Sequence, residues 1–152
     1  MKLVIQRVIH ASFSVDDVLK GSINKGLVVF AGFGKNDTES IIEPAVRKLV
    51  KLRIFADCKN KMNLDIMDIA GELMIISQFT LYADTHHGNR PDFLFAMEPA
   101  VAENLFNRFV DICHGFYPGK IVAGDFGRHM VVKILNDGPV TILLNFGNGT
   151  EI

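Results

Sequence analysis

The sequence predicts a mixed α/β fold, a single domain of mixed β-sheet with two helices packed on it. Three observations lead there. Runs rich in β-branched residues open the chain, two later segments repeat apolar residues at helical spacing, and further strand-like runs close it. A length of 152 residues, 49% of them hydrophobic and 22% charged, suits one domain spanning 1–152. Folding at this size buries roughly 70% of the surface an unfolded chain exposes, so the core needs no disulfide or metal to hold it.

Residues 3–15 combine β-branched residues with Gln6, His10, Ser12 and Ser14 along one polar face, the alternation of a half-buried strand. Arg7 falls on the apolar face. Asp16-Asp17 supplies a turn, Val18 to Asn24 a return strand, and Leu27 to Gly32 a nearly continuous apolar run suited to burial on both faces. Asn36-Asp37-Thr38-Glu39 signals a helix start. Apolar residues at 41, 42, 45, 46, 49, 50 and 52 then keep helical spacing, with Pro44 acceptable only in the first turns. Residues 56–71 have no dominant period and read as an irregular connection.

Glu72 to Phe79 is the most interior-looking strand, apolar for four residues and polar at its C-terminal end, where sheets of this class place ligand crevices. A long loop over 82–98 carries Asp84, His86, His87 and Arg90. A second helix starts at Pro99, with Val101, Leu105, Phe109, Ile112 and Phe116 on one stripe. Strands at about 120–126, 129–135 and 140–146 complete the chain, the last two joined as a hairpin through Asn136-Asp137-Gly138-Pro139. Residues 147–152 read as a loose tail.

Composition excludes several function classes. Charge interrupts Met-Lys-Leu-Val-Ile-Gln-Arg before a secretion signal or membrane span forms, so no membrane association is expected and the cytoplasm is the expected compartment. Two cysteines, Cys58 and Cys113, are too few for a disulfide framework, and no Cys and His stand at the short spacing of a zinc site. A formal charge of −1 gives no overall cationic field. Yet between 47 and 61 six cations, Arg47, Lys48, Lys51, Arg53, Lys59 and Lys61, meet the single acid Asp57, a patch fit for a phosphate backbone. A solvated helix face reads the same way.

Some side chains with chemical potential weigh little. Asp84, His86 and His87 suggest a metal or a general base, but adjacent histidines point apart and no third ligand stands at helical or strand spacing. Cys113-His114 lies in a helix stripe, where Cys113 packs as a small hydrophobe. Gly32-Phe33-Gly34-Lys35 lacks the full spacing of a phosphate loop. Two segments carry more. Ser77-Gln78-Phe79-Thr80-Leu81 sets two hydroxyls and an amide where a buried strand ends, a place that presents side chains and backbone N–H groups to a carbonyl oxygen. In Asn136-Asp137-Gly138-Pro139-Val140-Thr141, glycine frees φ and proline removes a donor, leaving carbonyls with no adjacent N–H. Strand-end polarity and an ordinary turn are the plain alternatives.

Together these two segments resemble the paired signatures of the D-aminoacyl-tRNA deacylase family. The likeness extends along the chain through Ile5-Gln6-Arg7-Val8, Arg53-Ile54-Phe55, Lys61-Met62-Asn63-Leu64, Gly88-Asn89-Arg90-Pro91 and Met130, in the expected order. The tail after Phe146 is a few residues longer than the family's bare C-terminal strand.

The resemblance implies an α/β/β layered fold and a cofactor-free, metal-free hydrolase. It would cleave the ester joining a D-amino acid, or glycine, to the 3′-terminal adenosine of tRNA, with L-amino acids rejected. It implies a homodimer in which the Gly138-Pro139 pair, carrying a cis bond, enters the partner's site, a state seen in only about 5–6% of X-Pro bonds. Carried over residue by residue, Ser77, Gln78, Phe79 and Thr80 would line the pocket, with the N–H of Phe79 or Thr80 facing the ester carbonyl. Arg7 would brace the Gly-Pro segment, and Met130 would sit against the substrate end. Thr80 has no adjacent base, so positioning suits it better than covalent attack. A sister group acting on L-alanyl-tRNA(Thr) shares the fold but has another strand-end motif, against which Ser77-Gln78-Phe79 argues. A noncatalytic dimeric module binding RNA ends or a protein, and a metal-assisted hydrolase at Asp84, His86 and His87, are the other readings.

Overall fold

Fourteen residues of largely alternating burial, Lys2–Val15, form strand β1, and the sheet is arranged around it. Residues 1–147, 150 and 151 are described in the structure, a computed structural model. The first half of β1 pairs antiparallel with β3 (Gly26–Gly32) and the second half with β2 (Val18–Ile23). Along its other edge β1 pairs with β8 (Val131–Gly147). Beyond β3 lie β6 (Glu72–Ser77) and β7 (Ile121–Ala123), both added in parallel. The order is β7-β6-β3-β1-β8-β9, with β2 on β1 and β9 (Thr150–Glu151) on the end of β8.

The pairing Val8↔Asn136 followed by His10↔Leu135 leaves Ile9 without an opposite number, and this bulge shifts the alternation so that Ala11, Phe13 and Val15 share the face of Val8 and not that of Leu3 and Ile5. Leu3 and Ile5 join the core beneath helices α1 (Ile42–Val50) and α2 (Pro99–Phe116). Ala11, Phe13 and Val15 enter a second core with Val28, Met74 and Ile76, where the curled second half of the sheet covers the first. Helices, sheet and sheet thus form three layers, the α/β/β arrangement expected.

Four expectations need correction. Residues 131–147 form one continuous strand and not a hairpin, because Val131 to Asn136 and Thr141 to Asn145 both run antiparallel to the same strand, so the chain never reverses. Asp137, Gly138, Pro139 and Val140 are instead an excursion within it: Val8 to Gln6 on β1 is matched by Asn136 to Thr141 on β8. The connection 56–71 contains a small hairpin, β4 (Phe55–Ala56) with β5 (Met62–Leu64), too short to show a period. On α2 the buried residues are Ala102, Phe106, Phe109 and Cys113, the predicted stripe turned by about one residue, and Val101 is 49% exposed. Small Ala102 and Cys113 permit closer packing than the branched residues beside them. Within the supposed tail, Thr150 and Glu151 pair back onto Gly147 and Phe146, while 148, 149 and 152 lie outside the described residues.

Asp37, expected to open the first helix, has another task. Its carboxylate accepts from the Met1 ammonium at 2.6 Å, from the Gly34 N–H at 2.6 Å and from the Tyr82 hydroxyl at 3.2 Å. The helix proper starts later, after a 3-10 turn over Glu39–Ile41, with Pro44 in its first turn as expected. Burial, more than any other influence, lowers the Met1 ammonium from its usual pKa, while Asp37 raises it. Asp37→Ala strands this buried cation, and a loss of about 3 kcal/mol is expected in urea denaturation at pH 7. The folded pKa of the amine lies below its unfolded value, so burying its charged form costs stability at low pH and costs nothing once pH exceeds the unfolded pKa. The deficit of the variant should therefore narrow between pH 7 and 9.

Candidate active site

Strands β3, β6 and β7 are parallel, so their C-terminal ends share one edge, and a cavity of about 590 Å³ opens there. Ala31, Gly32 and Phe33 leave β3 along one wall, and Ile76, Ser77, Gln78 and Phe79 leave β6 along the next. Met97, Pro99 and Ala102 close the side toward α2. The connection from β7 to β8 supplies Phe126, Arg128, His129 and Met130. The walls are mostly apolar, with polar groups from Ser77 and Gln78 at the end of β6 and from Arg128 and His129 of the β7–β8 connection, the usual makeup of a small-molecule site.

The strand predicted over 72–79 stops at Ser77, and Phe79–Tyr82 turn as a 3-10 helix. The Gln78 N–H donates to Ala31 O at 2.8 Å, which ties the turn to β3. Within the turn, Leu81 N–H donates to Gln78 O and Ala83 N–H to Thr80 O. The N–H groups of Phe79 and Thr80, first in the turn, have no acceptor inside it. The Gln78 side-chain amide donates to the Thr80 hydroxyl, so these two side chains are held as a pair. Thr80 stands at the rim, outside the cavity wall, and the Phe79 ring is 57% exposed, edge-on to Phe93 at 4.9 Å between centroids. From the start of the chain, Lys2 Nζ donates to Leu81 O at 3.1 Å and lies over the Tyr82 ring.

The other predicted site residues stand elsewhere. Arg7, 12% exposed, donates through Nε to Asp137 O at 3.3 Å and through Nη1 to Ile54 O at 2.5 Å, and pairs with the Asp137 carboxylate at 3.2 Å. Gly138 and Pro139 are exposed and joined by a cis peptide bond. Gly138 has φ +120, a backbone conformation that L side chains rarely adopt, and a Cβ there would crowd Val140 Cγ2 at 3.0 Å and Arg7 Nη2 at 3.1 Å. None of the three touches the cavity of its own chain. The structure therefore brings Ser77, Gln78, Phe79 and Met130 together, with Thr80 beside them, and holds Arg7, Gly138 and Pro139 as a second, outward-facing group.

The residues of both groups fall inside the match between the sequence and the family described as D-Tyr-tRNA(Tyr) deacylase, which spans residues 4–145. A D-aminoacyl-tRNA deacylase of Thermosipho melanesiensis is 47% identical over 145 residues, covering 95% of this chain and 97% of that one. The chain belongs to the D-aminoacyl-tRNA deacylase family. It is accordingly a hydrolase acting on aminoacyl-tRNA. Among solved structures, the c-Myc DNA unwinding element binding protein superposes on this deacylase with a TM-score of 0.92 at 40% identity, covering 97% of this chain and 99% of that one. A probable eukaryotic D-amino acid tRNA deacylase, 17% identical with a TM-score of 0.81 over 93% and 97% of the two chains, shares the fold.

Residues of the deacylase cavity that sequence reading did not single out come from the β7–β8 connection and the start of α2: Phe126, Arg128, His129 and Met97. Only Gly124 and Gly127, bracketing an aromatic residue, hinted at a tight loop there. Arg128 is paired with Asp16 at 2.6 Å. His86 and Asp84 hydrogen-bond to each other in the long loop, and among the described residues no three His, Cys, Asp or Glu side chains gather as metal ligands. No helix among the described residues is long and apolar enough to cross a membrane.

Proposed function

We propose that this deacylase removes D-amino acids and glycine from tRNA and rejects L-amino acids by contact with backbone atoms of Gly138 and Pro139 supplied by the partner in a homodimer. One observation carries the reading. The cavity with its polar rim and the exposed Gly138-Pro139 excursion are separate on one chain, so a second copy is needed to bring them together. Arg7 supports it by bracing the excursion from behind.

In this site the ester carbonyl faces the N–H groups of Phe79 and Thr80, which stabilise the oxyanion as water attacks. Gln78 and Thr80 position the terminal adenosine, and Ser77 and Met130 line the place of the aminoacyl group. The 2′-hydroxyl of the ribose assists the attacking water, the C–O bond to the 3′-oxygen breaks, and a proton returns to that oxygen. No side chain of the pocket forms a covalent intermediate. A wall of backbone atoms has no rotamer by which to yield, and a thousandfold rejection of L-residues corresponds to about 4 kcal/mol of clash. Because the wall meets the α-carbon and not the side chain, many D-residues pass. The cytoplasm, where charged tRNA is used, is the proposed place of action.

Single-turnover hydrolysis of D-tyrosyl-tRNA and L-tyrosyl-tRNA with EDTA present tests this. Release from the D-ester alone is the expected result. Inertness toward both would favour a noncatalytic nucleic-acid-binding module, and loss of D-ester cleavage in EDTA would favour a metal-assisted mechanism.

A further inference from the structure

The six cations expected as one patch do not remain together as free charges. Arg47 pairs with Glu43 at 2.7 Å and stacks over Phe116, on the exposed side of α1. Arg53, Lys59 and Lys61 belong instead to the β4–β5 hairpin. Arg53 lies along it, donating to the Asn63 backbone carbonyl at 2.8 Å and to the Asn63 side-chain oxygen. At the tip, Asp57 accepts the N–H groups of Lys59 at 2.8 Å and Lys61 at 3.0 Å, and Asn60 takes the left-handed conformation that the turn requires, φ +56. These two N–H groups hold the Asp57 carboxyl below its usual range. The acid is committed to shaping the turn. Among the described residues no carboxylate lies within 4 Å of the Lys59 or Lys61 ammonium, and both side chains are exposed.

The base of this hairpin is tied to the selectivity segment. Arg7 donates simultaneously to Ile54 O, immediately before β4, and to Asp137 O, immediately before Gly138. One guanidinium therefore fixes hairpin and excursion as a unit, and whatever receives Gly138 and Pro139 also receives the hairpin beside it. The two residues of β4 and the turn over 57–61 carry the tip roughly 10 Å beyond Ile54, a reach of one or two nucleotides.

We infer that the β4–β5 hairpin grips tRNA phosphates in trans: Arg53, Lys59 and Lys61 of one protomer hold the backbone just upstream of the 3′ adenosine that occupies the partner's pocket. This rests on the proposed insertion of Gly138-Pro139 into the partner's site. The ligand is single-stranded or end-of-stem RNA backbone, recognised through charge and not through base edges.

The test combines three measurements on the full-length dimer. With K59E/K61E, the ratio of kcat/KM for D-tyrosyl-tRNA to that for D-tyrosyl-adenosine, which has no phosphate, should fall at least tenfold at low salt. The slope of log kcat/KM for the tRNA against log salt should become shallower by about 1.5, as expected for two lost contacts. Addition of excess protomers that have an intact hairpin but an inactive pocket (Phe79→Pro) should restore the ratio by subunit exchange. Exposed Cys58 at the tip offers a readout independent of activity. Excess tRNA should slow its alkylation several-fold, while buried Cys113, its thiol pushed up to about 12 by burial, stays unreactive. An unchanged ratio and slope overturn the inference, and so does a lowered ratio that exchange fails to restore. Failure of the wild-type protein to hydrolyse D-tyrosyl-tRNA itself would instead overturn the proposed function.

Discussion

Protomers with a disabled pocket should restore stereochemical discipline to protomers with a disabled wall. Pro139→Ala releases the backbone torsion that the pyrrolidine ring fixes, and the variant is expected to hydrolyse L-tyrosyl-tRNA about a hundredfold or more faster than wild type while remaining folded, since Pro139 is exposed. Phe79→Pro deletes one N–H at the first position of the 3-10 turn, a position that tolerates proline, and should cost about a hundred- to a thousandfold in rate. Excess Phe79→Pro protomers mixed with Pro139→Ala protomers leave each functional pocket facing an intact wall. L-ester hydrolysis should then return toward the wild-type level while D-ester hydrolysis persists. Continued L-ester cleavage after proven subunit exchange would place the wall in its own subunit, or nowhere.

The second large effect falls on folding. Gly26 begins β3 where β1 and β6 converge, pairing with Val8 on one side and Glu72 on the other. A Cβ at Gly26 would lie 1.8 Å from the Glu72 carbonyl oxygen and 2.6 Å from its nitrogen. Neither atom belongs to a side chain that can rotate away. Gly26→Ala must therefore part β3 from β6 at the point where their parallel register is set, and a loss of about 4 kcal/mol or more is expected. Thermal unfolding should show Tm lowered by about 10 °C or more for a chain of this length. A variant that melts with wild-type protein would mean that the two strands can separate there without cost.

Much of this architecture was legible because it depends on local pattern. The opening strands, both helices and the buried run at 72–77 show their periods within a few residues. The inward position of Arg7 follows from simple alternation. What the sequence hid depends on partners distant along the chain. Gly138-Pro139 has the composition of a turn, and only the presence of β1 alongside both flanks makes Val131–Gly147 one strand. Asp37 has the composition of a helix cap, yet its carboxylate serves Met1, Gly34 and Tyr82. The α2 stripe was displaced because spacing alone cannot choose between neighbouring faces when both are apolar. Around the cavity, Ser77, Gln78 and Phe79 were singled out by one of the paired signatures and Met130 by the wider likeness along the chain. Phe126 and His129 were not, since a loop without periodicity gives no sign of what it will cover.

The makeup of the cavity wall has a consequence for chemical intervention. Among the described residues that line it there is no cysteine, lysine, aspartate or glutamate, and Arg128 and His129 are the basic side chains there. Electrophilic inhibitors that depend on capturing a thiol or an amine would find no such group in the pocket. An effective inhibitor must instead occupy the cavity by shape, for which a D-aminoacyl adenosine joined through an uncleavable amide is the natural starting point, and its potency should survive in the presence of thiol-blocking reagents.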